Sequence, residues 1–158
     1  MPVNGSLDLP WMHIAHGYMG VVGETDLRVT PSVMKFFSEA SKEEVPGDRH
    51  TPWCAAFVGA VLHEAHLPNT GTLWALDYAT YGQGLAGPKV GAIGVKSRPG
   101  MSDGHHFGHV FFVASFDDKY IYALGGNQGD KVCIDRFPRS MKIQYRWPPG
   151  VPIPKKAP

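Results

Sequence analysis

The chain has 158 residues, 43% of them hydrophobic and 18% charged, with a formal net charge of +1. That size and balance suit one compact soluble domain around one core and exclude a disordered chain. They also exclude the broad basic field of a nucleic-acid or anionic-lipid binder, so neither nucleic acid nor membrane insertion is expected.

The opening residues, MPVNGSLDLPWMHIAHG, carry no basic n-region and no unbroken apolar run. No signal peptide is expected there, and no stretch is long and apolar enough to span a bilayer. Synthesis in the cytoplasm follows as the expectation. Cys54 and Cys133 are the only cysteines, too few for a disulfide framework, and both read as free thiols.

The first half reads as helices. DLPWMHIAHGYMGVV carries Asp8 as a cap and Pro10 in the first turn, and TPSVMKFFSEASKE repeats that logic with Thr30 and Pro31. In TPWCAAFVGAVLHEAH, Thr51 caps a third helix, Pro52 takes its first position and Pro68 stops it. TLWALDYATYG reads as a shorter helix ending at Gly82.

After Pro88 the pattern turns to strands. KVGAIGVK is a short strand, SRPGMSDGHHFG a loop, and HVFFVASF a central strand covered on both faces. DDK and QGD then turn the chain into YIYALGGN and KVCIDRF, and KIQYRW makes a last strand. Helices followed by an antiparallel meander define an α+β domain over residues 1–147, with a Pro-rich tail over 148–158.

Cys54 raises the functional question. On the helical reading it falls in the first turn, where unpaired N–H groups and the macrodipole favour a thiolate and can hold an oxyanion. Yet Cys54, Phe57, Val58, Val61, Leu62 and Ala65 also follow one apolar helix face, where a buried inert cysteine is common. His109, opening the central strand, is a candidate base. Asn127, ending the neighbouring strand, is a candidate for the amide that orients it. Each also has a bland reading, His109 as a structural histidine and Asn127 as part of a Gly-Gly-Asn turn. Cys133 alternates with Val132 and Ile134 and reads as an ordinary strand residue.

Taken together, TPWCAAFV, GHVFFV and LGGNQGDKV, followed by YRWP, resemble the papain-like cell-wall hydrolases of the CHAP type (cysteine, histidine-dependent amidohydrolase/peptidase) found in phage lysins and bacterial toxins. The likeness covers about residues 10–147. It implies a papain-like fold with N-terminal helices packed on a β-meander. It also implies Cys54 as nucleophile, His109 as general base and acid, and Asn127 as orienter. Trp53, Gln128, His106 and Trp74 become candidates to line the substrate site or oxyanion hole, with Tyr81 and Phe107 as further cleft walls; Gln128 could instead bond the loop backbone. Glu24 matches an acidic position near the first helix, and Asp48 would fix the turn before the cysteine. Two departures are a long His-rich loop and the lack of an acidic residue in VGAIGVK.

The implied activity is cleavage of a peptidoglycan amide, either the muramoyl–L-alanine bond or a stem or cross-link peptide bond, with no cofactor and no metal. It would act on the wall or periplasm after lysis or secretion, and a secreted effector would have an immunity protein as partner. Three alternatives stand beside it. A deamidase or transglutaminase-like toxin would use the same three residues on host-protein glutamine. A phage structural domain would keep the fold without the chemistry. A metal hydrolase would draw on Asp103, His105, His106 and His109.

Overall fold

The computed structural model describes residues 9–25, 28–41, 53–97 and 108–154. Asp8, Asp48, Thr51, Pro52, Asp103, His105, His106 and Phe107 lie outside the described residues. So does the side chain of Glu24, whose backbone lies in β1.

Three α-helices lead the chain: α1 (Pro10–Gly17), α2 (Pro31–Ala40) and α3 (Cys54–Glu64). Thr30 caps α2 as its sequence foretold, its Oγ1 accepting from Val33 N–H at 3.4 Å and donating to Val22 O at 2.7 Å. A two-stranded ribbon, β1 (Glu24–Thr25) with β2 (Arg28–Val29), lies between α1 and α2. The fourth expected helix is a 3-10 helix over Ala75–Thr80. The third helix opens at Cys54, two residues later than the Thr-Pro pair suggested. Trp53 takes the N-cap place at φ −125° and ψ 20°, a non-helical conformation that lets its large ring pack inward. His66, at φ 60°, ends the helix before Pro68, and Leu67 N–H closes back on Leu62 O at 2.9 Å.

The second half forms β3 (Gln83–Leu85), β4 (Ile93–Ser97), β5 (Gly108–Phe116), β6 (Tyr120–Gly125), β7 (Cys133–Pro138) and β8 (Gln144–Trp147). Together they make one antiparallel sheet in the order β3-β8-β4-β5-β6-β7. Consecutive strands β4 to β7 are the expected meander. The last strand returns to the far side of β4, and β3, absent from the sequence reading, covers that edge. The domain is therefore α+β, helices on a six-stranded sheet. Val110, Phe111, Phe112 and Val113 are all fully buried, as a central strand covered on both faces requires.

What seats α3 on the sheet is a ladder of rings. Phe36 of α2 meets Phe57 of α3 edge-on at 5.5 Å, and Phe57 meets Phe112 of β5 at 6.1 Å. Each ring is fully buried and contributes about 2–3 kcal/mol of apolar burial, so the start of α3 is held firmly above β5. On the other side of the helices, polar groups join α1, α2 and α3. Tyr18 Oη lies 2.7 and 2.8 Å from the two carboxylate oxygens of Glu64, and Lys35 Nζ donates to Tyr18 Oη at 3.0 Å. No helix among the described residues is long and apolar enough to cross a membrane.

Candidate active site

The start of α3 and the start of β5 meet at one sulfur. Cys54 is the first residue of its helix and 5% exposed, and its thiol is hydrogen-bonded to the imidazole of His109. Two backbone N–H groups also reach the sulfur, from Ala55 in the first turn of α3 and from Val110 in β5. Burial pushes the thiol up. The hydrogen bond and charge of His109, joined by those two N–H groups, outweigh it and leave Cys54 below the ordinary thiol value. The stripe of apolar residues behind Cys54 anchors the helix in the core while its thiol stays at the helix mouth.

His109 is nearly buried, with 9% exposure. Its ring lies over Phe111 at 5.7 Å with planes 29° apart, and Phe137 stands edge-on to it at 6.0 Å. These two rings set the plane of the imidazole. Its Nε2 is 2.8 Å from Oε1 of Gln128. The expected orienter, Asn127, does not hold this place. Asn127 sits in a turn at φ 59° and makes no hydrogen bond to the imidazole. The reason is local: the left-handed residue of a tight turn is one that Asn tolerates and Gln does not, and the residue after it is then directed under the strand.

The other expected site residues divide. The ring of Trp53 is 3% exposed and stacks on Phe36 at 6.2 Å, which makes it a wall of the core. Tyr81 likewise turns inward and donates to Pro68 O at 2.6 Å. Trp74 is half-buried at the N-cap of the 3-10 helix. Gln128 is buried against His109 and the strand backbone. Cys133 lies at the start of β7, half-buried. The residue that sequence reading missed is Val110, whose N–H carries no side-chain signature. A clue to Gln128 was available in the preference of Asn for the turn position of GGNQG. No group of three or more His, Cys, Asp or Glu among the described residues is arranged to hold a metal ion.

Comparison with known proteins agrees with this geometry. A family model described as CHAP domain matches residues 46–127, just over half of the chain, and the match includes Cys54 and His109. No curated protein and no solved structure matches. With a cysteine at a helix mouth paired to a histidine opening the central strand, the chain belongs to the CHAP family, whose members are amidase- and peptidase-type hydrolases that typically act on peptidoglycan.

Proposed function

We propose that the protein cleaves an amide bond of bacterial peptidoglycan through a thioester on Cys54. The observation that carries this reading is the hydrogen-bonded pair of Cys54 and His109 at the N-terminus of α3, with the thiol held below its ordinary value.

The thiolate of Cys54 attacks the carbonyl carbon of the scissile amide. First-turn N–H groups of α3 stabilise the oxyanion that forms, since they lack intrahelical acceptors and point toward the site. His109, protonated by the thiol, gives that proton to the departing nitrogen as the C–N bond breaks. A water molecule then attacks the thioester while His109 takes its proton. The C–S bond breaks, a carboxylate leaves and the thiolate returns. The chain's own groups suffice for every step. As a phage lysin or a secreted antibacterial effector, the enzyme would meet its substrate after lysis or export, and an effector would be matched by an immunity protein covering the Cys54 cleft.

Digestion of purified peptidoglycan with wild type and C54A, followed by mass analysis of the fragments, tests the proposal. A muramoyl–L-alanine amidase releases intact stem peptides with free L-alanine amines. An endopeptidase instead leaves a new amine within the stem or cross-link. No fragments from wild type, or the same fragments from C54A, overturns it.

A further inference from the structure

Four hydrogen bonds meet on the side chain of Gln128, one of them a long contact of Nε2 with Cys133 Sγ at 3.8 Å. Its Nε2 donates to Ala123 O at 3.1 Å and to Cys133 O at 2.9 Å, and its Oε1 is 2.8 Å from His109 Nε2. The two carbonyls settle which end of the carboxamide is which. Carbonyl oxygens only accept, so the atom facing both of them must be the NH2 group, and the atom left for His109 is the oxygen. An amide oxygen also only accepts. The imidazole must therefore present an N–H from Nε2, and in its neutral form Nδ1 is then the bare nitrogen, the one left to take a proton from the Cys54 thiol.

We propose that Gln128, in place of Asn127, is the positioning residue of the Cys54–His109 pair, holding His109 as the Nε2–H tautomer with Nδ1 turned to the sulfur. This rests on the reading of Cys54 and His109 as the reacting pair. Gln128 touches no reacting atom and acts through the imidazole. Its oxygen serves both protonation states, because Nε2 carries a proton in imidazole and imidazolium alike. Its anchorage is rigid, since Ala123 belongs to β6 and Cys133 to β7, strands paired in register from Tyr120↔Pro138 to Gly125↔Cys133. Asn127 makes no hydrogen bond to the imidazole, and its part is to make the turn that delivers Gln128.

The test needs no peptidoglycan, so its outcome is separate from that of the cleavage assay. In the full-length, nitrogen-15-labelled chain with Cys54 capped by iodoacetamide, long-range proton–nitrogen correlations at alkaline pH report the tautomer of His109. The expected result is a protonated Nε2 and a bare Nδ1; a protonated Nδ1 overturns the proposal, whatever any variant does. In Q128A the tautomers should mix. The alkylation midpoint of Cys54 should rise, slowing its alkylation at pH 6.5 by about tenfold, the effect of one pKa unit. N127A should keep the wild-type tautomer and midpoint. Scrambling by N127A with a folded Q128A unaffected assigns the role to Asn127 and sinks the inference. Should Q128A fail to fold, the wild-type tautomer decides alone.

Discussion

Gly126 is pressed against Trp53. A methyl group on its Cα would stand 2.8 Å from the indole ring and 2.7 Å from Cβ of Phe57. The turn after β6 therefore passes directly beneath the N-terminus of α3, and only a residue without a side chain lets it through. G126A should destabilise the fold by about 1–3 kcal/mol through overpacking, read as a lower urea midpoint at unchanged slope. Wild-type stability in G126A would mean that the helix can lift off the turn freely.

Its neighbour Gly125 meets a different obstacle. A Cβ there would lie 2.6 Å from Oε1 of Gln128 and 3.1 Å from Cβ of Phe111. G125A should thus displace the carboxamide from His109 and slow alkylation of Cys54 by more than its loss of stability explains. Equal alkylation rates in G125A and wild type at pH 7 would contradict this.

Thiol chemistry should invert the usual order of exposure. Cys54 is buried and Cys133 half-buried, yet iodoacetamide at pH 7 should label Cys54 first, because Cys54 is held below its ordinary value. The rate–pH midpoint should lie below 9.0, the ordinary thiol value, and H109A should move it upward. The sign for stability follows. Between the depressed folded value and 9.0 the unfolded chain holds the extra proton, so this group makes folding more favourable as pH rises through that window. Faster labelling of Cys133 would remove the case for an activated Cys54.

A second titration belongs to the helices. Burial, then a hydrogen bond to Glu64 and its negative charge, raise Glu39 from 4.5 to about 7, against the opposing charge of Lys35. Glu64 is itself pushed up by burial, but hydrogen bonds from Glu39 and Tyr18 and the charge of Lys35 carry it below its ordinary value. Between pH 4.5 and about 7 the folded chain keeps a proton on Glu39 that the unfolded chain has lost, so stability should fall across that window as pH rises. Thermal melts at pH 5 and pH 8 check this. E39Q should melt a few degrees above wild type at pH 8 and show less difference between the two pH values. Parallel losses in both proteins would rule out the shared proton.

T30A removes the cap of α2 and the bond to Val22 O together. A loss of about 1 kcal/mol is expected from denaturant titration, the usual size for such a cap. Because Phe36 of α2 backs Trp53, the loss should be accompanied by a change in tryptophan fluorescence. An unaltered spectrum would show that α2 and Trp53 are not coupled.

Much of this arrangement was legible in the residues. Alternation and apolar runs foretold β4 to β8, and Thr30-Pro31 foretold the start of α2. Cys54 and His109, which the structure brings together, stand at a helix mouth and a strand end, places with sequence signatures. Backbone bonding was one of two readings open for Gln128, and its carboxamide does meet Ala123 O and Cys133 O; its contact with His109 was not legible, since choosing between adjacent amides depends on which one takes the positive φ. The helix begins at Cys54 and not at the Thr-Pro pair, with Trp53 at the N-cap and its ring packed on Phe36. The glycines before Asn127 looked like turn residues, and the structure makes them spacers instead: neither has positive φ.

The N–H of Val110 has a wider meaning. Along β5 the N–H groups point alternately to either side, and Val113 donates toward Ala92 on the β4 side at 2.8 Å. That of Val110 therefore faces the β6 side, where β6 has already ended at Gly125. The thiol of Cys54 takes that N–H instead. Cys54 is in this sense the last member of the sheet, and its place is set by the same grid that spaces the strands. Extending β6 by a single pairing would give that N–H back to the backbone, so the sheet's early stop leaves it free for the sulfur.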